Sequence, residues 1–296
     1  MADYTEAPVS RAAALGRRVA VFSAILFAIA TLAHRLGFLA TPDVVPVLGV
    51  VAALALLSLA LAARGLQQLW TYGGDGGSNL IAAVLVACLV LTPFSVALYR
   101  GLTLPSLNDI STDTDDPPEL AAAAAARVPG MNVIEPFTPE RRKLQHDAYP
   151  AATGRRYGAP ISQVADSVSD VLGDRGWTML ARPASAEASE LTFEVVARTL
   201  VMGFPSDVAI RLIDEGNSTY VDMRSASRYG AHDFGDNARR IESFLANLDV
   251  EIAYLTVVVP VEEPPAPEPV APEPEPEFVV PDEPAEPLDR SEDPPD

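Results

Sequence analysis

The sequence predicts an α+β protein fixed in a membrane, with three N-terminal transmembrane helices, a two-layer domain and a disordered tail. Three observations carry this. Three apolar runs lie before residue 100; residues 159–259 show first a helical and then a strand period; from residue 260 the chain becomes acidic and Pro-rich. The chain has 296 residues, 49% of them hydrophobic, enough for two modest units.

Residues 1–18 read as a cytoplasmic N-terminus, and residues 19–100 as the membrane region. Its first run, about 19–40, holds His34 and Arg35 as its only strongly polar residues. The second and third, about 46–63 and 80–99, hold no charge. Each is long enough, at ~1.5 Å rise per residue, to cross a hydrocarbon core of ~30 Å. Arg11, Arg17 and Arg18 ahead of the first run, with Ala28-Ile29-Ala30 inside it, also have the marks of a cleaved signal peptide. Two further spans follow closely and the run outlasts a signal core, so it reads as an uncleaved helix. Ala55, Ser58 and Ala62 are small residues suited to close helix packing.

Lys and Arg near the span ends set the orientation. A cytoplasmic N-terminus places Arg11, Arg17, Arg18 and Arg64 inside, with Arg35 and Arg100 outside. The rest of the chain is then periplasmic, and the expected location is a bacterial inner membrane. Cys88, the single cysteine, lies in the third run, so no disulfide forms within the chain. Of the net charge of −19, −12 falls between Pro260 and Asp296. This acidic balance, with no basic stripe, argues against nucleic acid as a partner.

Residues 101–158 read as an extended connector. Asn108 to Leu120 is turn chemistry, Glu119 to Val128 has the helix propensity of a short helix without an amphipathic stripe, and the remainder reads as irregular chain lying against a domain. Residues 159–259 are the α+β domain. Ile161, Val164, Val168, Val171 and Leu172 mark an amphipathic helix, with Pro160 at its start and Gly173 and Gly176 at its end. Four strands follow, "WTMLAR", "ELTFEVVARTL", "DVAIRLID" and "TYVDMRSAS", whose period of two places Asp222 and Arg224 on a polar outer side. A last helix carries Ile241, Phe244, Leu245 and Leu248 on one stripe, capped by Asp233 or Asp236. The economical arrangement is an antiparallel sheet of four strands with two helices on one face. "IAYLTVVV" offers a fifth strand. Residues 260–296, with 13 of the 27 prolines, read as a disordered spacer whose Phe278-Val279-Val280 could dock another envelope protein.

The densest polar stretch runs from Arg224 to Phe244. Its Asp233-Phe234-Gly235 matches a kinase magnesium triplet, but the glycine-rich loop, strand lysine and catalytic His-Arg-Asp are missing. It reads instead as a strand-to-helix loop. Ser225 or Ser227 with His232 and Asp233 has the residue types of a hydrolase triad without a Gly-x-Ser-x-Gly elbow. Asp109, Asp113, Asp115 and Asp116 lack the glycine and distal glutamate of a calcium loop, so they read as capping residues, and no metal or cofactor is expected. The candidate ligand site is Arg224, Arg228, His232, Asp233, Arg239 and Arg240, where arginines surround a helix N-terminus. Either these arginines hold a carboxylate, phosphate or lipid headgroup, or they pair internally with Asp222, Asp233, Asp236 or Glu242.

"STDTDDPP", "AYP", a Gly-Trp after a helix, "GF" followed by Asp-Val, and "VDMRSASRYGAHDFGDNARRIESFL" together resemble the bacterial "domain of unknown function 1499" family. The resemblance spans about Asn108 to Leu248, with its signature from Asp222 to Ile241. It implies a membrane-anchored protein of the alphaproteobacterial type and no assigned chemistry. Members commonly carry paired aspartates where this chain has Ser206-Asp207, which puts a role needing both carboxylates in doubt. The expected function is non-enzymatic binding or scaffolding in the envelope, with membrane lipids and another envelope protein as partners. The alternative is an enzyme, or a lipid- or anion-binding protein, using the loop at residues 224–240.

Overall fold

The computed structural model of the chain describes residues 10–183 and 188–258. The Pro-rich segment from residue 260, with Phe278-Val279-Val280, lies outside the described residues. Three helices, α1 (Arg11–Arg35), α2 (Thr41–Tyr72) and α3 (Gly77–Thr103), are each long and apolar enough to cross a membrane. α1 closes before the end of its apolar run, where Gly37 turns the chain at φ 81°. Ala55, Ser58 and Ala62 are buried between helices, as their size suggests. Ser58 Oγ donates to Gly16 O at 2.9 Å and Ser23 Oγ to Val51 O at 2.9 Å, so the hydroxyls bond across the α1–α2 contact.

The rest is α+β, as the periods predict. The connector contributes β1 (Asp109–Ser111), α4 (Ala121–Ala126), α5 (Pro139–Ala148) and β2 (Arg155–Tyr157). Then follow α6 (Ile161–Asp174), β3 (Thr178–Ala181), β4 (Glu190–Arg198), β5 (Pro205–Asp214), β6 (Thr219–Ser227) and α7 (Asp236–Val258). The sheet is antiparallel, in the order β1-β6-β5-β4-β3, with β2 also on β6. β1 and β2 share one edge of β6, β1 along Arg224–Ala226 and β2 along Thr219–Val221. Two strands therefore come from the connector, where three-residue segments carry no readable period. The "IAYLTVVV" run does not add a strand: through Val258 it continues α7.

Leu191, Phe193 and Val195 of β4, Val208, Ile210 and Leu212 of β5 and Val221 and Met223 of β6 form one buried face. Against it pack Val164, Val168 and Leu172 of α6 and Ile241, Phe244, Leu245 and Leu248 of α7. The opposite face departs from expectation. Asp222 and Arg224 point away from the helices but not into water, because the connector covers them. On that face Glu194, Asp207, Arg211, Asp222 and Arg224 are all buried, beside a small apolar cluster of Leu120, Ala123, Ala209 and Ala226.

Candidate functional site

Charged groups survive burial when paired and hydrogen-bonded, and the covered face follows that rule. Arg224 forks onto Asp109, with Nε to Oδ1 at 3.1 Å and Nη2 to Oδ2 at 2.7 Å, and lies 5.2 Å over the Phe137 ring. Arg211 forks onto Asp222 at 3.1 and 2.6 Å and reaches Asp116 Oδ2 at 2.9 Å. Burial pushes the Asp222 carboxyl up, and Arg211 pulls it back. Asp207 is shared: Oδ2 accepts from Arg127 at 3.0 and 3.1 Å, and Oδ1 from Arg228 at 2.7 and 2.9 Å. Glu194 accepts from the backbone N–H groups of Ala122 and Ala123, both at 2.9 Å, and so closes the first turn of α4.

The six candidate residues divide between this face and the start of α7. Arg224 and Arg228 belong to the carboxylate pairs just described. Asp233 caps α7: Oδ1 accepts from Gly235 N at 2.9 Å and Oδ2 from Asn237 N at 2.8 Å. Burial pushes its carboxyl up, and those two N–H donors oppose the shift. Phe234 and Gly235, at φ 55° and 75°, make the left-handed turn that brings these amides round. The Asp-Phe-Gly triplet is thus the cap and turn of a helix.

Arg239 is exposed and pairs with Asp236, which also faces Arg100 of α3 at 3.7 Å. Arg240 is buried with neutral partners, Ser225 Oγ at 2.9 Å and Asn237 Oδ1 at 2.6 Å, and burial lowers its pKa. His232 Nε2 faces Leu104 O at 3.2 Å, and its Nδ1 accepts from Phe234 N at 2.9 Å. Ser225 bonds Asn237 and Arg240, while Ser227 bonds Asn237. Serine, histidine and aspartate are therefore each engaged separately.

The structure also places this loop against the ends of the spans. A cleft of about 210 Å³ opens between the first turns of α2 and the domain, lined by Thr41, Val45, Phe204, Tyr229, His232 and Phe234, among others. Its walls are mainly apolar. On the neighbouring side the turn between β4 and β5 sits on α1. Arg35 donates to Leu200 O at 2.5 Å, His34 Nδ1 donates to Met202 O at 2.7 Å, and the His34 ring meets the Phe204 ring edge-on at 5.4 Å. Sequence reasoning assigns no docking role to His34, Arg35, Met202 or Phe204. A signal for one exists: "TLVMGF" is an apolar string at a position where a hairpin in water carries polar turn residues.

Residues 109–248 match the family model described as "Protein of unknown function (DUF1499)". No curated protein matches. Two solved structures are similar over 35% of the chain. They are CalU16 from Micromonospora echinospora, at 18% identity, 76% of that chain and a TM-score of 0.25, and TTHA0849 from Thermus thermophilus, at 13% identity, 97% of that chain and a TM-score of 0.21.

Proposed function

Taking residues 109–248 as a domain of the DUF1499 family, we propose that this is a membrane-anchored, non-enzymatic binding or scaffolding protein of the bacterial envelope. Its spans hold the domain at the inner membrane, on the periplasmic side that the Lys/Arg distribution favours. One observation carries the reading: Arg224, Arg228, Arg239 and Arg240 all have protein acceptors, and His232 and Asp233 are spent on the turn and cap. Groups so engaged stiffen the fold rather than form a reactive centre, which leaves the domain's exposed surface to a partner. The partner that this reading expects is another envelope protein.

A second reading, in which the loop at residues 224–240 contributes to a lipid site, is favoured by the cleft. Tyr229, His232, Asp233 and Phe234 of that loop line it together with Thr41 and Val45 of a span, and ligand sites are concave and largely apolar. A photo-crosslinking amino acid at Tyr229 of the full chain, activated in cells, separates the two. Discrete protein adducts support scaffolding and lipid adducts support the second reading. No adduct of either kind would sink both. A C-terminal reporter active only in the periplasm tests the orientation, and a cytoplasmic signal would reverse it.

A further inference from the structure

The turn from Thr199 to Phe204 is apolar on both of its sides. Leu200 is 90% exposed and Val201 51% exposed, while Met202 and Phe204 turn inward onto Ala30, Val44 and Leu48. All three of those contacts belong to α1 and α2. Ala30 lies five residues before the end of α1 and Leu48 seven residues into α2. Val44 lies three residues into α2, so at ~1.5 Å per residue the cluster that receives the turn spans on the order of 4–10 Å below the helix ends.

The backbone gives a second, independent observation. In a hydrocarbon or headgroup environment a turn's carbonyls lose water, so irregular chain at that depth persists only where protein groups satisfy it. Here every carbonyl from Thr199 to Gly203 has a side-chain donor. Arg35 Nη1 reaches Thr199 O at 3.3 Å, Leu200 O at 2.5 Å and Val201 O at 3.4 Å. His34 takes Met202 O, held in place by Thr41 Oγ1 at 2.9 Å from its Nε2, and Arg198 takes Gly203 O at 3.2 Å. Phe204 N donates to Thr199 Oγ1 at 3.0 Å. Gly203, at φ 74°, lets the arginine pass, since a Cβ there would stand 2.9 Å from Arg35 Cγ. A turn bathed in water needs no such provision.

With α1, α2 and α3 read as membrane spans, we propose that the β4–β5 turn is a fourth membrane-embedded element. Leu200 and Val201 enter the boundary between headgroups and acyl chains, and the partner of this surface is bilayer lipid. Arg35, at the end of α1, serves as the hydrogen-bond donor for the buried turn while keeping its charge at the interface.

The test uses the full chain with Cys88→Ala, reconstituted in phosphatidylethanolamine–phosphatidylglycerol vesicles. Single spin labels are placed at Leu200→Cys and, as a second probe, Val201→Cys. Leu89→Cys, 73% exposed on α3, is the lipid control, and Asn217→Cys in the exposed β5–β6 turn is the aqueous control. Collision with oxygen relative to a water-soluble nickel chelate should be several-fold higher at 200 and 201 than at 217, approaching the value at 89. Labels at 200 and 201 that behave like 217, while 89 remains lipid-exposed, would overturn the insertion and leave the spans intact. If 89 also behaves like 217, the span reading itself fails and the insertion with it.

Discussion

Arg224 and Asp109, diagonal neighbours across the β1–β6 ladder, form a two-bond fork at 3.1 and 2.7 Å, with both side chains buried. The pair ties the first strand of the sheet, reached directly from α3, to the start of the stretch from Asp222 to Ile241. Removing one member of a buried pair strands the other charge without solvent. Asp109→Ala should therefore cost about 3–5 kcal/mol of stability. The double change Asp109→Leu with Arg224→Met should recover most of that loss. Denaturant titration of the solubilised protein reads both, and equal losses in single and double variants would refute the pairing.

Arg240 should behave differently. Its partners Ser225 and Asn237 are neutral and already bond one another at 2.9 Å. Burial already works against its charge. Arg240→Met should shift stability by less than about 1.5 kcal/mol, since a well-packed apolar replacement removes a desolvation cost. A loss as large as that of Asp109→Ala would mean that the guanidinium has a charged partner in the working protein.

Tyr149 has a buried hydroxyl with no hydrogen-bond partner among the described residues, and burial pushes its pKa up to about 12 from 10.0. Tyr149→Phe should raise stability by on the order of 1 kcal/mol at neutral pH, because an unsatisfied buried group is removed. The sign at high pH follows from proton linkage. The folded state holds the phenol proton more tightly, so this contribution is complete below pH 10 and is lost as pH rises toward 12. Melting midpoints taken from pH 9 to 12 should fall more steeply for the unmodified protein than for Tyr149→Phe, and the reverse order would contradict the burial.

Gly65 packs closely on Ala13 where α2 meets α1. A Cβ at Gly65 would lie 2.9 Å from both the Cβ and the backbone N of Ala13, and backbone cannot step aside. Gly65→Ala should destabilise the helix pair by about 1–3 kcal/mol, as overpacking does. Unfolding in mixed micelles with increasing SDS fraction measures it, and an unchanged midpoint would show that the helices do not meet there.

Where a period was long, the sequence was readable. The Phe193, Val195 and Ala197 alternation and the Ile241 to Leu248 stripe each marked an element and its buried face. Period two, however, says only which side a residue occupies, not what covers that side. Asp222 and Arg224 therefore looked solvated, although the connector buries them. β1 and β2 were invisible because three residues cannot show a period; they exist through the edge that β6 offers. The polar loop was legible as a turn and a cap. Its partners were not, since Asp207, Asp109 and Leu104 come from segments far away in sequence.

His34 and Arg35 clasp the β4–β5 turn and so dock the domain on its own spans. Spin labels at Leu36→Cys and Tyr229→Cys, in the Cys88→Ala chain in lipid nanodiscs, test this docking through their distance distribution. One narrow distribution that broadens on Arg35→Ala is the expected result. A broad distribution already present with Arg35 intact would mean that the clasp does not hold the domain.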